Sequence, residues 1–247
     1  MQIVKKISTG LATAIAVVAL AAQAQAQPDF SGAWTTYRAP AGQAGAFNGP
    51  QATLKLTPEA QKAVDDYRSV TEGTDYSPGN ACVGGGMPSS MLGSGGYPME
   101  IIQRPEQLFV IYEAHSEMRR MFIGDEAQDP SQFFPERNGY STAHWEGERL
   151  IVETVNLKTQ VDSRYPHSSE AKIREEYYFD TPLADGTRVL AADLTMTDPW
   201  LQEPFKTTKR WQEMADYHVK SYECAEPKWL DDLTKLYEAK GLTMVQE

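Results

Sequence analysis

The chain reads as a mainly β protein, an antiparallel β barrel with one short helix near its N-terminal side and a second at its C-terminal end. Three observations predict this. Apolar and polar residues alternate with period two through most of the chain beyond Pro98, turn signals recur between the alternating runs, and helical spacing appears in only two places.

The first 26 residues are set apart from that pattern. Lys5 and Lys6 precede an apolar run from Leu11 to Ala22, which is followed by Ala24-Gln25-Ala26, the small-x-small pattern of a signal peptidase site. The uncharged core is about a dozen residues, whereas a membrane span needs roughly 20. An export signal over 1–26 is therefore expected, with 27–247 as one domain in the periplasm or outside the cell. The whole chain carries 34 acids against 23 lysines and arginines, for a net charge of −11. Both lysines of the leader leave with it, so the remainder is more acidic still, which opposes binding to nucleic acid or anionic lipid. No later stretch has the length and apolarity of a span.

Each element follows in order. "PDFSGAWTTYR" reads as a first strand entered through Gly32 and anchored by Trp34. "LTPEAQKAVDDYRSV" has Thr57 as N-cap, Pro58 at the first helical position, and Ala60, Ala63, Val64 and Tyr67 at helical spacing. Residues 73–98, rich in glycine, proline and serine, form a long loop, and a loop of that length in a compact domain is usually a functional lid or a disordered segment. "MEIIQ", "QLFVIYEA", "EMRRMFI", "RLIVETVNL", "AKIREEYYF", "TRVLAADLTM" and "FKTTKRWQEM" then read as strands. Residues 226–241 close the chain as a helix with Trp229, Leu230, Leu233, Leu236 and Tyr237 on one face, expected to pack on the barrel or cap a mouth. The two cysteines, Cys82 and Cys224, are expected to pair, because exported proteins meet an oxidising compartment and the count is even.

Candidate site residues come from the strand faces and the rims. Taking Ala114 to Ser116 as a three-residue hairpin loop sets Glu113 opposite Glu117 and Ile111 opposite Arg119, so that Arg119 and Glu113 are diagonal neighbours beside an apolar lining. His167 and Glu170 sit in "YPHSSE", a turn before a strand whose Ile173, Tyr177 and Phe179 share one face and Arg174, Glu176 and Tyr178 the other. Glu113, His167 and Glu170 are the candidate acid–base groups, with Arg119 or Tyr112 to hold an oxyanion. His144, Trp145, Tyr178 and Trp200 join Tyr112 and Arg119 as candidate ligand contacts, Trp200 on a rim loop with two prolines. Neither an HExxH nor a CxxC spacing is present, so no metal and no cofactor are expected. Ser168 and Ser169 beside His167 lack the G-x-S-x-G elbow of a serine hydrolase.

The segments "FSGAW", "MRRMFI", "YSTAHWEGERLIVETVNL" and "HSSEAKIREEYYF", in this order, resemble a large, poorly characterised family of exported bacterial proteins. Its shared motif, W-E-G-[DE]-x-L-[IV]-V-[DE]-T, is matched by Trp145 to Thr154. The chain departs where family members often carry His-Pro, having Asp129-Pro130, and where they often carry Glu-Arg-aromatic, having Glu176-Tyr177-Tyr178. Gly32-x-Trp34 also looks like the start of a lipocalin, and that resemblance implies a calycin-like barrel around a small apolar molecule. The expected function is binding of a small, largely apolar ligand. The alternative is a cofactor-free lyase, isomerase or hydrolase acting on such a molecule through glutamate and histidine. A homodimer is one assembly the sequence allows.

Overall fold

A computed structural model describes residues 27–38, 53–74, 76–93, 96–124 and 128–242. The export signal expected over 1–26 lies outside the described residues. Nine strands close into one barrel in chain order: β1 (Gly32–Thr36), β2 (Met99–Arg104), β3 (Gln107–Tyr112), β4 (Glu117–Ile123), β5 (Tyr140–Glu146), β6 (Arg149–Val155), β7 (Lys172–Asp180), β8 (Val189–Thr197) and β9 (Phe205–Met214). Closure removes the unpaired edges an open sheet would expose.

Eight of the nine seams are antiparallel, and β4–β5 is parallel, with Met121 opposite Ser141 and Ile123 opposite Ala143. The expectation of a wholly antiparallel barrel is corrected here. The strand β5 itself is absent from the alternation reading. Its inward positions Ser141 and Ala143 are small, so "YSTAHWE" lacks the apolar beat of its neighbours. β4 ends at one end of the barrel and β5 starts at the other, so the two strands run in one direction.

The interior follows strand parity. Leu108, Val110 and Tyr112 of β3, Leu150 and Val152 of β6, Ile173 and Tyr177 of β7, and Leu190, Leu194 and Met196 of β8 are buried in one core. At the end where β1 begins, Phe30 packs on Trp145 and Phe179, and the Arg188 guanidinium lies 5.2 Å from the ring centres of both Trp34 and Phe179. Arg188 also donates to the Asp29 and Ser31 carbonyls, so this end is closed by aromatic rings and an arginine.

The opposite end is the mouth, reached by Thr36, Met99, Tyr112, Glu117, Val155 and Thr197. The glycine-rich loop lies over it. Its short helix α2 (Ser89–Leu92) puts Met91 into the core, and Met87 beside it is fully buried. Helix α1 (Pro58–Thr71) is capped by the Thr57 hydroxyl, which accepts from the Ala60 amide at 3.3 Å, and buries Ala60 and Val64. Helix α3 (Ala225–Ala239) departs from expectation. None of its described side chains is buried, and Trp229 and Leu236 are exposed. The disulfide Cys82–Cys224 forms as expected, with a Cα separation of 5.6 Å, and ties the loop to the residue before α3.

Candidate functional site

The β3–β4 connection decides what faces inward. The loop is four residues long, Glu113 to Ser116, and Tyr112 pairs with Glu117. His115 and Ser116 both adopt positive φ, a conformation unfavourable for residues with a Cβ and therefore not signalled by "AHS". The pairing differs by one residue from the expected register, which places Arg119 opposite Val110, not Ile111. Arg119 accordingly points into the barrel on the side of Tyr112, and its expected pairing with Glu113 is replaced.

Inside, the Arg119 guanidinium forms a two-pronged pair with Glu175 of β7. Nη1 donates to Oε1 at 2.9 Å and Nη2 to Oε2. Nε donates to the Ser141 hydroxyl at 3.2 Å and Nη2 to Thr154 at 2.8 Å, while the Tyr177 hydroxyl donates to Glu175 Oε1 at 2.8 Å. Both ionic side chains are fully buried. Burial alone would lower the Arg119 pKa, but the carboxylate beside it wins and holds it above the usual arginine range. Burial pushes the Tyr112 and Tyr177 hydroxyls up, so both stay protonated. This cluster fills the barrel centre with matched charge, and Thr154, the last residue of the W-E-G motif hairpin, is one of its donors' partners.

Above it, at the mouth, lies a cavity of about 240 Å³ lined by Gly85, Ser89, Ser90, Tyr97, Tyr112, His115 and Glu117 among others. Tyr112 is the wall shared by cavity and cluster. Glu117 is held from three sides: it accepts from the Gly86 amide at 2.9 Å, from the Asn138 amide at 2.9 Å and from the Ser90 hydroxyl. The loop comes down directly on this carboxylate, since a Cβ on Gly84 would sit 2.6 Å from it. Gly86, at φ +66°, approaches so closely that a Cβ would lie 2.5 Å from the Arg137 carbonyl. His115 contributes an imidazole whose Nδ1 is buried with no hydrogen-bond partner, its ring 4.8 Å from that of Tyr222.

The structure separates the other candidates. Glu113 accepts from the Tyr217 hydroxyl at 2.7 Å and the Lys220 amide at 2.9 Å, clamping the segment after β9 to the mouth. His167 is fully buried in the loop before β7, with Nδ1 2.9 Å from the Tyr165 carbonyl and Nε2 unpartnered. Glu170 is exposed three residues on. Among the described residues no hydrogen bond or ion pair joins Glu113, His167 and Glu170. His144 is exposed beside Glu146 at 3.1 Å, Tyr178 lies on the outer face under the Arg149 guanidinium at 4.0 Å, and Trp145 packs at the closed end. Trp200 is half-buried in the loop after β8, its carbonyl accepting from Thr57 at the start of α1. Of the expected ligand contacts, Tyr112 alone lines the cavity.

Glu117, His115, Ser90 and Glu175 were not among the sequence candidates. Glu175 had a signal, being the one acid in line with Ile173, Tyr177 and Phe179. Among the described residues no group of three or more histidine, cysteine or acidic side chains converges as a metal site would require. No helix among them is long and apolar enough to cross a membrane. No protein-family model matches the chain, and no curated protein matches its sequence.

Proposed function

We propose that this protein is an exported, calycin-like barrel that binds a small molecule in the loop-covered cavity at its mouth, between Tyr112, Ser90 and His115. The observation that carries the reading is the cavity itself, whose wall brings together the side chains of His115, Ser90 and Tyr112. The volume suits a ligand smaller than the occupants of pockets of about 300 Å³ and above. The disulfide and the N-terminal leader support an oxidising compartment. The resemblance to exported bacterial proteins through Trp145–Thr154 agrees with that location.

Acid–base turnover in the same cavity is the second reading, favoured by His115 and Glu117 sharing its wall. Binding is preferred because the Glu117 carboxylate already accepts three hydrogen bonds and serves to fasten the loop. Native mass spectrometry of protein isolated from the cell envelope tests the choice. A retained small molecule that His115→Ala releases, with no product in a turnover screen, supports binding. Product formation lost in His115→Ala supports turnover, and an unliganded wild-type spectrum together with no product contradicts both.

A further inference from the structure

The wall of the mouth cavity carries one acid, Glu117, and neither lysine nor arginine. Glu117 is half-buried, and the three groups that donate to it, the Gly86 amide, the Asn138 amide and the Ser90 hydroxyl, are all neutral. Among the described residues it makes no ion pair. The arginines around it are matched elsewhere: Arg119, beyond Tyr112, by Glu175, and Arg137, whose Nε donates to the Gly84 carbonyl, by Asp162 at 3.0 Å. The cavity therefore holds a negative charge with no counter-charge, whereas a charge drawn away from water is ordinarily paired.

Much of the remaining wall is aromatic. Tyr97, Tyr112 and His115 contribute rings, and Tyr222 packs against two of them, 4.8 Å from the His115 ring and 5.5 Å from that of Tyr97. Tyr97 is 43% exposed, so part of its surface is open to a guest. The serine hydroxyls are engaged, Ser90 on Glu117 and Ser89 with Ser163. A primary ammonium brings three N–H donors, and this wall would leave some of them unmet at a cost. A fully methylated ammonium has no N–H to satisfy, and its charge is drawn both to a carboxylate and to aromatic faces.

Resting on the reading of this cavity as a binding site, we propose that the molecule it takes is a small methylated ammonium compound, with its cationic head between Glu117 and the rings of Tyr97, Tyr112 and His115. Glu117 then serves twice. It fastens the loop through neutral donors, and it meets the guest with the charge those donors leave uncancelled. The net charge of −11 on the chain attracts the same class of ligand over a longer range.

Calorimetric titration of the protein isolated from the cell envelope, dialysed free of small molecules, with choline and with its neutral carbon analogue dimethylbutanol tests this. The two probes share shape and hydroxyl and differ in charge, and about 0.15 M salt screens the distant charges of the chain. Choline is expected to bind about tenfold more tightly than the alcohol. Glu117→Gln, whose amide can keep the bonds to Gly86, Asn138 and Ser90, should erase that preference while the alcohol binds as before. Tyr97→Leu should weaken choline more than the alcohol. Wild type that binds the alcohol as tightly as choline overturns the assignment of charge and leaves the cavity standing as a binding site. Binding of neither probe also overturns it, and the native mass spectrum then decides separately whether the cavity holds another molecule. A preference for choline that survives in Glu117→Gln overturns it as well, and the wild-type comparison decides even where that variant fails to fold.

Discussion

Arg119 and Glu175 meet in the middle of the barrel, completely withdrawn from solvent, joined by two hydrogen bonds and surrounded by the hydroxyls of Ser141, Thr154 and Tyr177. Removing one member strands the other charge without water. Arg119→Met or Glu175→Gln is expected to destabilise by about 3–5 kcal/mol, while the double variant Arg119→Met/Glu175→Leu recovers most of the loss. Urea denaturation of the three variants checks this. Equal losses in single and double variants would show that the pair is not the unit of stability.

His167 makes the fold sensitive to acid. Burial lowers its pKa below the ordinary value of 6.5, outweighing the Tyr165 carbonyl and the Asp198 carboxylate, which favour the charged form. Between that lowered value and 6.5 the unfolded chain binds more protons than the folded one, so stability rises with pH in this window. The contribution is complete above about pH 6.5 and is lost as pH falls through the folded value. Denaturation free energies compared at about pH 7.5 and about pH 5.5 should fall less for His167→Gln than for wild type.

The disulfide spans 142 residues of sequence and fastens the loop that roofs the cavity. Cys82→Ser/Cys224→Ser is expected to lose about 3–5 kcal/mol and to raise amide exchange in residues 77–92 before the barrel strands respond. Uniform exchange gains across the barrel would contradict a local fastening role.

Gly84→Ala should lift the loop from Glu117, since the added methyl would overlap its carboxylate. Weaker ligand retention is expected, with barrel stability nearly unchanged. Pairing it with Glu117→Ala clears the space but removes the group that fastens the loop, so ligand retention should not recover. Thermal melts and ligand retention, measured together, separate these outcomes.

Much of the barrel was legible because strand parity in β3, β6, β7 and β8 is written in large apolar side chains. The strand β5 was not, because Ser141 and Ala143 are small where Arg119 takes the room. The site was lost at one turn. Two non-glycine residues at positive φ, His115 and Ser116, lengthen the β3–β4 connection, and that single-residue change turned Arg119 inward and brought Glu117 to the mouth. Tyr112 was found because its face is the same in either register. The amphipathic stripe of α3 is real in the sequence, yet its Trp229 and Leu236 are exposed, and a stripe by itself does not tell a packed helix from an exposed one.

The most direct test of the account is the response of the four histidine side chains, followed by NMR, to a panel of small hydroxylated aromatic and aliphatic compounds. His115 at the cavity wall should shift saturably with at least one compound, while exposed His144 and His218 stay still and His115→Ala abolishes binding. Shifts that are absent from the whole panel, or that appear equally at His144 and His218, would contradict a ligand site at the barrel mouth.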